Sequence, residues 1–326
     1  MINTILLYLI SIIFATFICI LITPNFISLM KQRGFVGKDM NKLHKPLVAE
    51  LGGIPVFVSF VLSSFFCILF SLNIIDYSLF LLLILMMTII FIIGILDDAL
   101  GWKKGINQWQ HFILPLLFSI PVIIYAISQN FNSIYIPFLG TLNVGYIYAI
   151  ILVPIAITAT TNAFNLLAGF NGMEAGMSII IFITISIFAL FKGNITLLLI
   201  LGAWIGALIG IYKYNKYPAK IFLGDGVTLV SGVLIGMSAI VLKLEWLIAF
   251  IYILYIIEFI IKASHNFKPE CFGVPQKDGT LAPKPTGGSL THIVMKKGRF
   301  TEKQVVHIFY ILQTIICGIA LIFFFF

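Results

Sequence analysis

The amino-acid sequence predicts an all-α protein that crosses a membrane about ten times. Of its 326 residues, 61% are hydrophobic and only 10% are charged, whereas soluble domains carry about 25% charged residues. The mean hydropathy of +1.12 points the same way. Apolar runs of roughly the 17 to 25 residues that cross a bilayer as a helix recur along the chain, near residues 2–23, 53–71, 78–96, 109–128, 144–161, 177–191, 195–212, 227–242, 246–262 and 305–325. We therefore expect one integral membrane domain over residues 1–326.

The basic residues fall almost entirely on one side of these spans. Ten spans place both termini on the same side, and of the 20 lysines and arginines only Lys192 and Lys243 lie on that side. Because basic loops face the cytoplasm, we expect both termini outside and cytoplasmic loops near 24–52, 97–108, 162–176, 213–226 and 263–304. Most of the 12 acids share these loops, which favours a cytoplasmic site for phosphates or anionic lipid headgroups. The alternative is that the lysines only set the topology.

One segment, 162–176, collects polar residues between two apolar runs. Asn162 and Asn165 are three positions apart, so on a helical turn their amides share one side. Glycines in the same segment let the backbone turn and approach a ligand closely, and Glu174 adds a carboxylate. This pattern favours a binding site, and the alternative is a capped, solvated loop between two spans.

Two adjacent carboxylates, Asp97 and Asp98, stand at the end of the third apolar run. The negative end of the helix dipole disfavours acids there, so the pair requires compensation. We expect it to come from a bound cation, from Lys103 or Lys104, or from protonation of one carboxylate, which would then serve in proton transfer. The alternative is an exposed pair that only marks the membrane boundary.

Asp225 lies between two glycines just before the eighth apolar run, where little side chain blocks the approach of a metal-bound diphosphate. Mg²⁺ commonly takes one or two protein oxygens and completes its shell with phosphate oxygens and water. Because Asp225, the aspartate pair and the 162–176 segment share one predicted face, we expect one site that draws oxygen ligands from three loops. Glu50, followed closely by two glycines, is a further carboxylate on this face.

The loop at 263–304 is too long for a simple connection between helices. It contains several prolines and glycines together with His265 and His292. We interpret this loop as a substrate lid or a recognition element. A lone histidine in such a loop is more often structural or solvated than catalytic.

These motifs together resemble those of the polyprenyl-phosphate N-acetylhexosamine-1-phosphate transferases. The resemblance rests on four segments in their arrangement among ten spans, 50–53, 94–98, 162–176 and 222–226. Ala168 and Asn171 stand where bacterial members typically have aspartates, and this form is similar to the eukaryotic GlcNAc-1-phosphotransferase type of the dolichol pathway. Segment 291–306 resembles instead the last loop of the bacterial MraY translocases, and such a mixture fits an archaeal member.

The resemblance implies a role for each candidate residue. It implies Mg²⁺ ligation, with Mn²⁺ as a second option, by Asn165 and Asp225, and catalytic roles for Asp97, Asp98 and Asp225, with the aspartate pair handling the acceptor phosphate. The expected substrate-binding set is Glu50, Lys103, Lys104, Asn162, Asn171, Glu174 and His292. Two departures are visible. The family's phosphate-binding lysine lies farther from its aspartate pair than Lys103 and Lys104 do, and only His292 matches the three consecutive histidines of the translocases.

The implied reaction is transfer of N-acetylhexosamine-1-phosphate, expected to be GlcNAc-1-phosphate, from a UDP-sugar to a polyprenyl or dolichyl phosphate, with release of UMP. The expected partners are these substrates and the bilayer of the plasma membrane, with no nucleic acid, and a homodimer is left open. An MraY-type transferase for phospho-N-acetylmuramoyl-pentapeptide, or for a pseudomurein precursor, is the alternative. A secondary transporter fits less well, because its site would lie near the bilayer midplane. A non-catalytic lipid-binding protein would not need three carboxylate-bearing glycine loops.

Overall fold

The computed structural model describes residues 2–71, 73–101 and 108–326, and in these ranges the protein is a bundle of apolar helices with three small β-sheets. The helices are α1 Ile2–Gln32, α2 Gly53–Leu69, α3 Tyr77–Leu100, α4 Gln108–Phe118, α5 Ile120–Ser128, α6 Val153–Leu166 after a π-helical turn at Tyr148–Leu152, α7 Met173–Phe191, α8 Ile195–Asn215, α9 Asp225–Leu242, α10 Glu245–Ile251, α11 Ile253–Ser264, α12 Leu290–Lys296 and α13 Glu302–Phe325. The strands are β1 Val36–Lys38, β2 Leu47–Ala49, β3 Ser133–Ile136, β4 Gly140–Asn143, β5 Val274–Pro275, β6 Thr280–Ala282 and β7 Phe300–Thr301.

Each predicted span contains an apolar helix, although fewer than ten qualify as membrane spans by length and composition. Within the described ranges, eight helices qualify, with α4 and α5 together as one and the π-helical turn and α6 as another. The α10–α11 pair qualifies only as a bent span, so the predicted span at 246–262 is broken by a 70° bend. At 17 residues, α2 is a shorter apolar helix, because its chain leaves the helix at Phe70.

The centre of the bundle is formed by α8 and α9. In an 18-residue apolar stretch of each helix, 83% of α8 and 89% of α9 is buried. Gly202, Gly206 and Gly210 recur every four residues and therefore line one face of α8. Along this face α1 packs so closely that a Cβ at Gly206 would collide with the Ile12 carbonyl oxygen. Thr16 Oγ1 donates to the Gly206 carbonyl at 2.9 Å, so a side-chain hydrogen bond joins the two helices beside this close contact.

Several helix ends meet the first loop at one end of the bundle. The β1–β2 hairpin lies against the segment that leads into α9, because the Phe222 amide donates to the Ala49 carbonyl at 2.8 Å and the Gly52 amide donates to the Phe222 carbonyl at 2.9 Å. A Cβ at Gly94 of α3 would lie 2.7 Å from the Asp225 backbone. The end of α3, the start of α2 and the start of α9 are therefore held together by backbone contacts.

The 263–304 loop is a folded element that combines the β5–β6–β7 sheet with α12. Its anchor is a buried ion pair in α11 between Lys262 Nζ and Glu258 Oε1, which are 3.6 Å apart. Lys262 also donates to the Leu166 carbonyl at the end of α6 at 2.6 Å, and Glu258 accepts from the Leu290 amide at 2.7 Å. A buried charge is tolerated when it is paired and hydrogen-bonded, and this pair fixes the loop over the end of α6.

Candidate active site

Asp98 caps a helix that lies far from it in sequence. Its Oδ1 accepts from the Asp225 amide at 2.8 Å, and its Oδ2 accepts from the Gly226 amide at 3.2 Å. These amides open α9, where the positive end of the helix dipole favours a carboxylate. A Cβ at Gly224 would collide with the Asp98 carboxylate. The compensation that the end of α3 requires is therefore supplied for Asp98 by backbone amides.

Asp97, the other member of the pair, faces a histidine. Its Oδ2 lies 3.3 Å from Nε2 of His111, which α4 carries to the end of α3. One carboxylate oxygen each from Asp97 and Asp225 and one ring nitrogen of His111 lie within 4.8 Å of one another. We call these three residues the carboxylate–histidine cluster. Its Asp97 and His111 side chains are 16% and 19% exposed, so an ion or a phosphate can reach them.

The basic residue in this cluster is not one that the sequence predicted. Lys103 and Lys104 lie outside the described residues. His111 follows the aspartate pair at a longer spacing than Lys103 and Lys104 do, as the resemblance implies for a phosphate-binding lysine, and that spacing is the signal by which it could have been found. Its position at the start of an apolar helix gives a further clue, because histidine is rare in such a setting.

Asn165, the other expected metal ligand, lies beside Asp225. Its Nδ2 donates to Asp225 Oδ2 at 2.9 Å, and its Oδ1 accepts from Thr228 Oγ1 at 3.1 Å. A half-turn of the amide would present its oxygen at the same place, and the Thr228 hydroxyl can accept as well as donate. The end of α6 and the start of α9 therefore bring a carboxylate and an amide together, as the sequence predicted, in a set that suits a hard divalent cation.

A cavity of about 190 Å³ opens beside Asn165 and Asp225. Polar lining side chains come from the first loop, the 162–176 segment and the helices around α9, and Phe272 comes from the last loop. The lining residues are Lys38, Asp39, Met40, Asn165, Ala168, Gly169, Phe170, Glu174, Asn215, Phe222, Leu223, Gly224, Asp225, Thr228 and Phe272. This volume is below the 300 to 1,000 Å³ of typical ligand sites, so the cavity has room for a single ring-sized group.

The glycines of the 162–176 segment permit its turn and its contact with the last loop. Gly169 has a φ of +107°, and a Cβ there would lie 2.6 Å from the Phe272 ring. The Gly169 amide donates to Glu174 Oε1 at 2.6 Å, so the carboxylate stabilises the turn from inside the cavity wall. Glu174, predicted to bind substrate, thus also has a local structural role.

Asn171 is buried and fully engaged within the protein. Its Nδ2 donates to Glu302 Oε1 at 2.6 Å and to Asp39 Oδ2 at 3.1 Å, while its Oδ1 accepts from the Ala219 amide at 2.6 Å. The side chain therefore joins the first loop, the segment before α9 and the start of α13. Asn171 was predicted to bind substrate, whereas its contacts with Asp39 and Glu302 were not predicted from the sequence.

Lys42 completes this junction. Its Nζ lies 2.6 Å from Asp39 Oδ2 and 2.6 Å from Glu302 Oε2. Burial acts to lower the pKa of Lys42, but the charges and hydrogen bonds of Glu302 and Asp39 outweigh it and raise that pKa above its ordinary value. Lys42 is therefore held in its charged form, and we call Asp39, Lys42, Asn171 and Glu302 the loop junction.

Three other predicted substrate-binding residues lie outside the cavity lining. Asn162 Nδ2 donates to the Thr158 carbonyl within its own helix at 2.9 Å. His292 is buried, and its Nε2 lies 3.1 Å from the Phe272 carbonyl, so it supports the residue that lines the cavity. Glu50 is half-buried, and burial raises the pKa of its carboxyl. Its negative charge repels that of nearby Asp98.

Comparison with known proteins assigns the chain to a family. The Glycosyl transferase family 4 profile matches residues 80–243. A protein of Saccharolobus solfataricus, described by inference as a UDP-N-acetylglucosamine–dolichyl-phosphate N-acetylglucosaminephosphotransferase, is 38% identical over 98% of this chain and 97% of its own length. A Sulfolobus acidocaldarius protein with the same description is 36% identical over 97% of this chain and 95% of its own length. This chain belongs to glycosyl transferase family 4.

Bacterial relatives of this family 4 chain match a smaller part of it. The phospho-N-acetylmuramoyl-pentapeptide-transferase of Clostridium botulinum is 37% identical over 51% of this chain and 53% of its own length. The profile match extends from α3 to the residue after α9 and includes the aspartate pair, Asn165 and Asp225. The first loop with Glu50 and the last loop with His292 lie outside that match. The carboxylate–histidine cluster is thus part of the shared family region.

Proposed function

We propose that this chain transfers GlcNAc-1-phosphate from UDP-GlcNAc to a dolichyl or other polyprenyl phosphate and releases UMP. The observation that carries the proposal is the near-full-length similarity to the two archaeal relatives described by that activity. A phosphate oxygen of the lipid attacks the sugar-linked phosphorus of the donor. The bond from that phosphorus to the bridging oxygen breaks, and UMP leaves with that oxygen.

The site has to bring two anions together. Because both substrates are negatively charged, the barrier is largely electrostatic and positional. Asp225 and Asn165 would hold a Mg²⁺ or Mn²⁺ ion, and the adjacent carboxylate and amide suit such an ion. An ion bound there supplies positive charge to the diphosphate and to the leaving UMP.

The two aspartates of the pair take different roles in this proposal. Asp98 is a positioning residue, because its carboxylate holds the amides of Asp225 and Gly226. Asp97 lies at the open side of the cluster beside His111. We assign to Asp97 the handling of the acceptor phosphate, including acceptance of a proton from that phosphate if it arrives protonated.

The cavity beside Asp225 suits one part of the donor substrate, UDP-GlcNAc. Glu174 and the Gly169 turn form one wall and Phe272 forms another. A ring-sized volume of about 190 Å³ suits the uracil or the sugar of UDP-GlcNAc, whereas a peptide-bearing donor needs an open groove beyond it. This size favours the bare sugar over the MraY-type alternative.

The proposed orientation puts this site at the cytoplasmic face of the plasma membrane, with both termini outside. The lysine distribution among the loops supports it. A cytoplasmic site would meet a soluble nucleotide sugar on one side and a lipid phosphate confined to the interface on the other.

The deciding experiment is a donor comparison with the purified full chain in lipid nanodiscs containing dolichyl phosphate. UMP release is measured with UDP-GlcNAc and with UDP-N-acetylmuramoyl-pentapeptide at equal concentration. We expect UMP and lipid-linked GlcNAc from the first donor and little of either product from the second. Equal or faster turnover of the peptide-bearing donor would make the translocase function the correct one.

A further inference from the structure

His111 enters the carboxylate–histidine cluster from a separate helix, α4. Its imidazole offers a nitrogen ligand, whereas aspartate offers only oxygen ligands. The proposed ligands Asn165 and Asp225 are oxygen donors. The imidazole ring nitrogen of His111 lies within 4.8 Å of carboxylate oxygens from both Asp97 and Asp225. The inference drawn from this placement rests on the metal site of the proposed function.

The spacing of the His111 ring nitrogen and the Asp225 carboxylate oxygen suits a shared ion. Ligands at about 2.1 Å from an octahedral ion lie about 3 to 4.2 Å from one another. A ring nitrogen of His111 and a carboxylate oxygen of Asp225 lie within 4.8 Å of each other, close to that range. The partial exposure of Asp97 and His111 leaves a route for the ion from solvent.

Asp98 lies outside the carboxylate–histidine cluster. Both of its oxygens accept backbone amides at the start of α9, and it is not among the described residues whose ligand atoms lie within 4.8 Å of one another. The proposed ligand set therefore consists of His111 and Asp225, with Asn165 beside Asp225, while Asp97 keeps its proposed role at the acceptor phosphate. It contains one nitrogen donor among oxygen donors.

We propose that His111 is a nitrogen ligand of the divalent cation and sets the metal preference of the enzyme toward Mn²⁺ or Co²⁺ over Mg²⁺. Mg²⁺ takes oxygen ligands and parts reluctantly with its water. Imidazole binds transition-metal ions well, and affinity rises from Mn²⁺ to Co²⁺ in a given site. A site made only of carboxylate and amide oxygens has a weaker bias of this kind.

A second role for His111 has to be separated from ligation. A protonated imidazole would pair with Asp97 as a cation and would bind phosphate without touching the metal. A lysine side chain can supply the positive charge of a protonated histidine, but a protonated amine has no lone pair to give to a metal. His111→Lys therefore retains the cationic role and abolishes the ligand role, while His111→Gln abolishes both the charge and the nitrogen ligand.

The test is Mn²⁺ binding to the full chain in nanodiscs without substrates. Free Mn²⁺ is titrated by electron paramagnetic resonance, and pulsed measurements on bound Mn²⁺ detect coupling to ¹⁴N. We expect nitrogen coupling in the unmodified protein. His111→Gln and His111→Lys should lose it and bind Mn²⁺ at least about tenfold more weakly, since even outer partners of metal ligands are worth 10- to 100-fold. The exposed His265 provides the control, and His265→Gln should retain both coupling and affinity.

Absence of nitrogen coupling in the unmodified protein would overturn the inference by itself. The test therefore remains decisive even if a variant fails to fold. Unchanged Mn²⁺ affinity in His111→Lys would assign the cationic role instead. UMP release is measured in parallel. Turnover of UDP-GlcNAc without nitrogen coupling refutes only the His111 inference, whereas nitrogen coupling without turnover of UDP-GlcNAc refutes only the proposed function.

Discussion

Three carboxylates meet at the end of the bundle, and each has a different partner. Asp98 accepts two backbone amides, Asp97 faces His111, and Asp225 accepts from Asn165. Like charges this close repel one another unless hydrogen bonds, a cation or a proton compensates them. Substitutions that look equivalent in sequence are therefore expected to have different effects.

Asp225→Asn tests the metal site directly. The substitution removes the charge and retains the volume, so we expect the protein to fold and turnover to fall by at least about 10²-fold, since metal charge stabilisation is worth several kcal/mol. Single-turnover rates at saturating metal provide the measurement. Asp278→Asn, at an exposed acid of the last loop, is the matched control and should leave the rate unchanged. Near-normal activity of the Asp225 variant would refute its assignment as a metal ligand.

Asp97→Asn and Asp98→Asn separate chemistry from positioning. Asp98→Asn leaves one helix-start amide without an acceptor, at a cost of about 1 to 3 kcal/mol, so both the melting temperature and the rate should fall. Asp97→Asn should lower the rate by about 10²- to 10⁴-fold, the usual contribution of a general base, with little change in melting temperature. UDP-GlcNAc affinity, measured alongside, should change little in Asp97→Asn. The opposite pattern of melting temperatures would reverse the two roles.

At the scale of elements, the loops around the site depend on a few buried polar contacts. The loop junction joins the first loop to α13 through Lys42, Asp39, Asn171 and Glu302. The Glu258–Lys262 pair fixes the last loop over α6. These contacts help to position Phe272 and the cavity.

The junction makes stability depend on pH through Lys42. Its pKa in the folded protein is raised above the ordinary value of 10.5. The stabilisation is therefore fully present below about pH 10.5 and is lost as pH rises through the higher folded-state pKa. Thermal unfolding of the native protein and of Lys42→Met should differ most near neutral pH, and the difference should shrink in strongly alkaline buffer.

Lys268→Met is the control for this experiment, because Lys268 is exposed in the last loop. Its melting temperature should follow that of the native protein at every pH. A gap between the native protein and Lys42→Met that stays constant up to strongly alkaline pH would show that the ion pairs do not stabilise the junction.

At the scale of the whole molecule, the polar features divide between the two ends of the bundle. The proposed site occupies one end, together with the β1–β2 hairpin and the last loop. The other end has the β3–β4 hairpin, where Lys243 donates to the Ser133 carbonyl at 2.8 Å. The proposed orientation assigns these ends to the cytoplasm and the exterior, respectively.

Labelling with a membrane-impermeant thiol reagent tests this orientation. All four native cysteines are buried, so the native chain provides a low background. Lys277→Cys, in the exposed last loop, should react only when the cytoplasmic side is accessible, and Asn132→Cys, at the other end, should react from outside. The reverse pattern would overturn the orientation and the cytosolic origin of the donor.

The sequence by itself determined the helical membrane class and the approximate positions of the apolar helices in the described ranges. It also predicted that Asp97, Asp98, Asn165 and Asp225 share one face, and the structure brings these four residues to one end of the bundle. Hydrophobicity and helix length are local properties, so they can be read from single runs of residues. Glycine and carboxylate motifs are local as well. From the expectation that several loops share one face, the sequence predicted that Asn165 and Asp225 lie close together, as they do.

Only the tertiary structure decided which partner each polar residue has. His111 joins Asp97 and Asp225 because α4 returns to the end of α3, and Asn171 is part of the loop junction because α13 brings Glu302 to it. The bend between α10 and α11 likewise arises at Tyr252, within a stretch, 246–257, that contains no charged residue. Such contacts join residues far apart in the chain, and their energies depend on burial and on the position of the opposite charge, which local sequence does not encode.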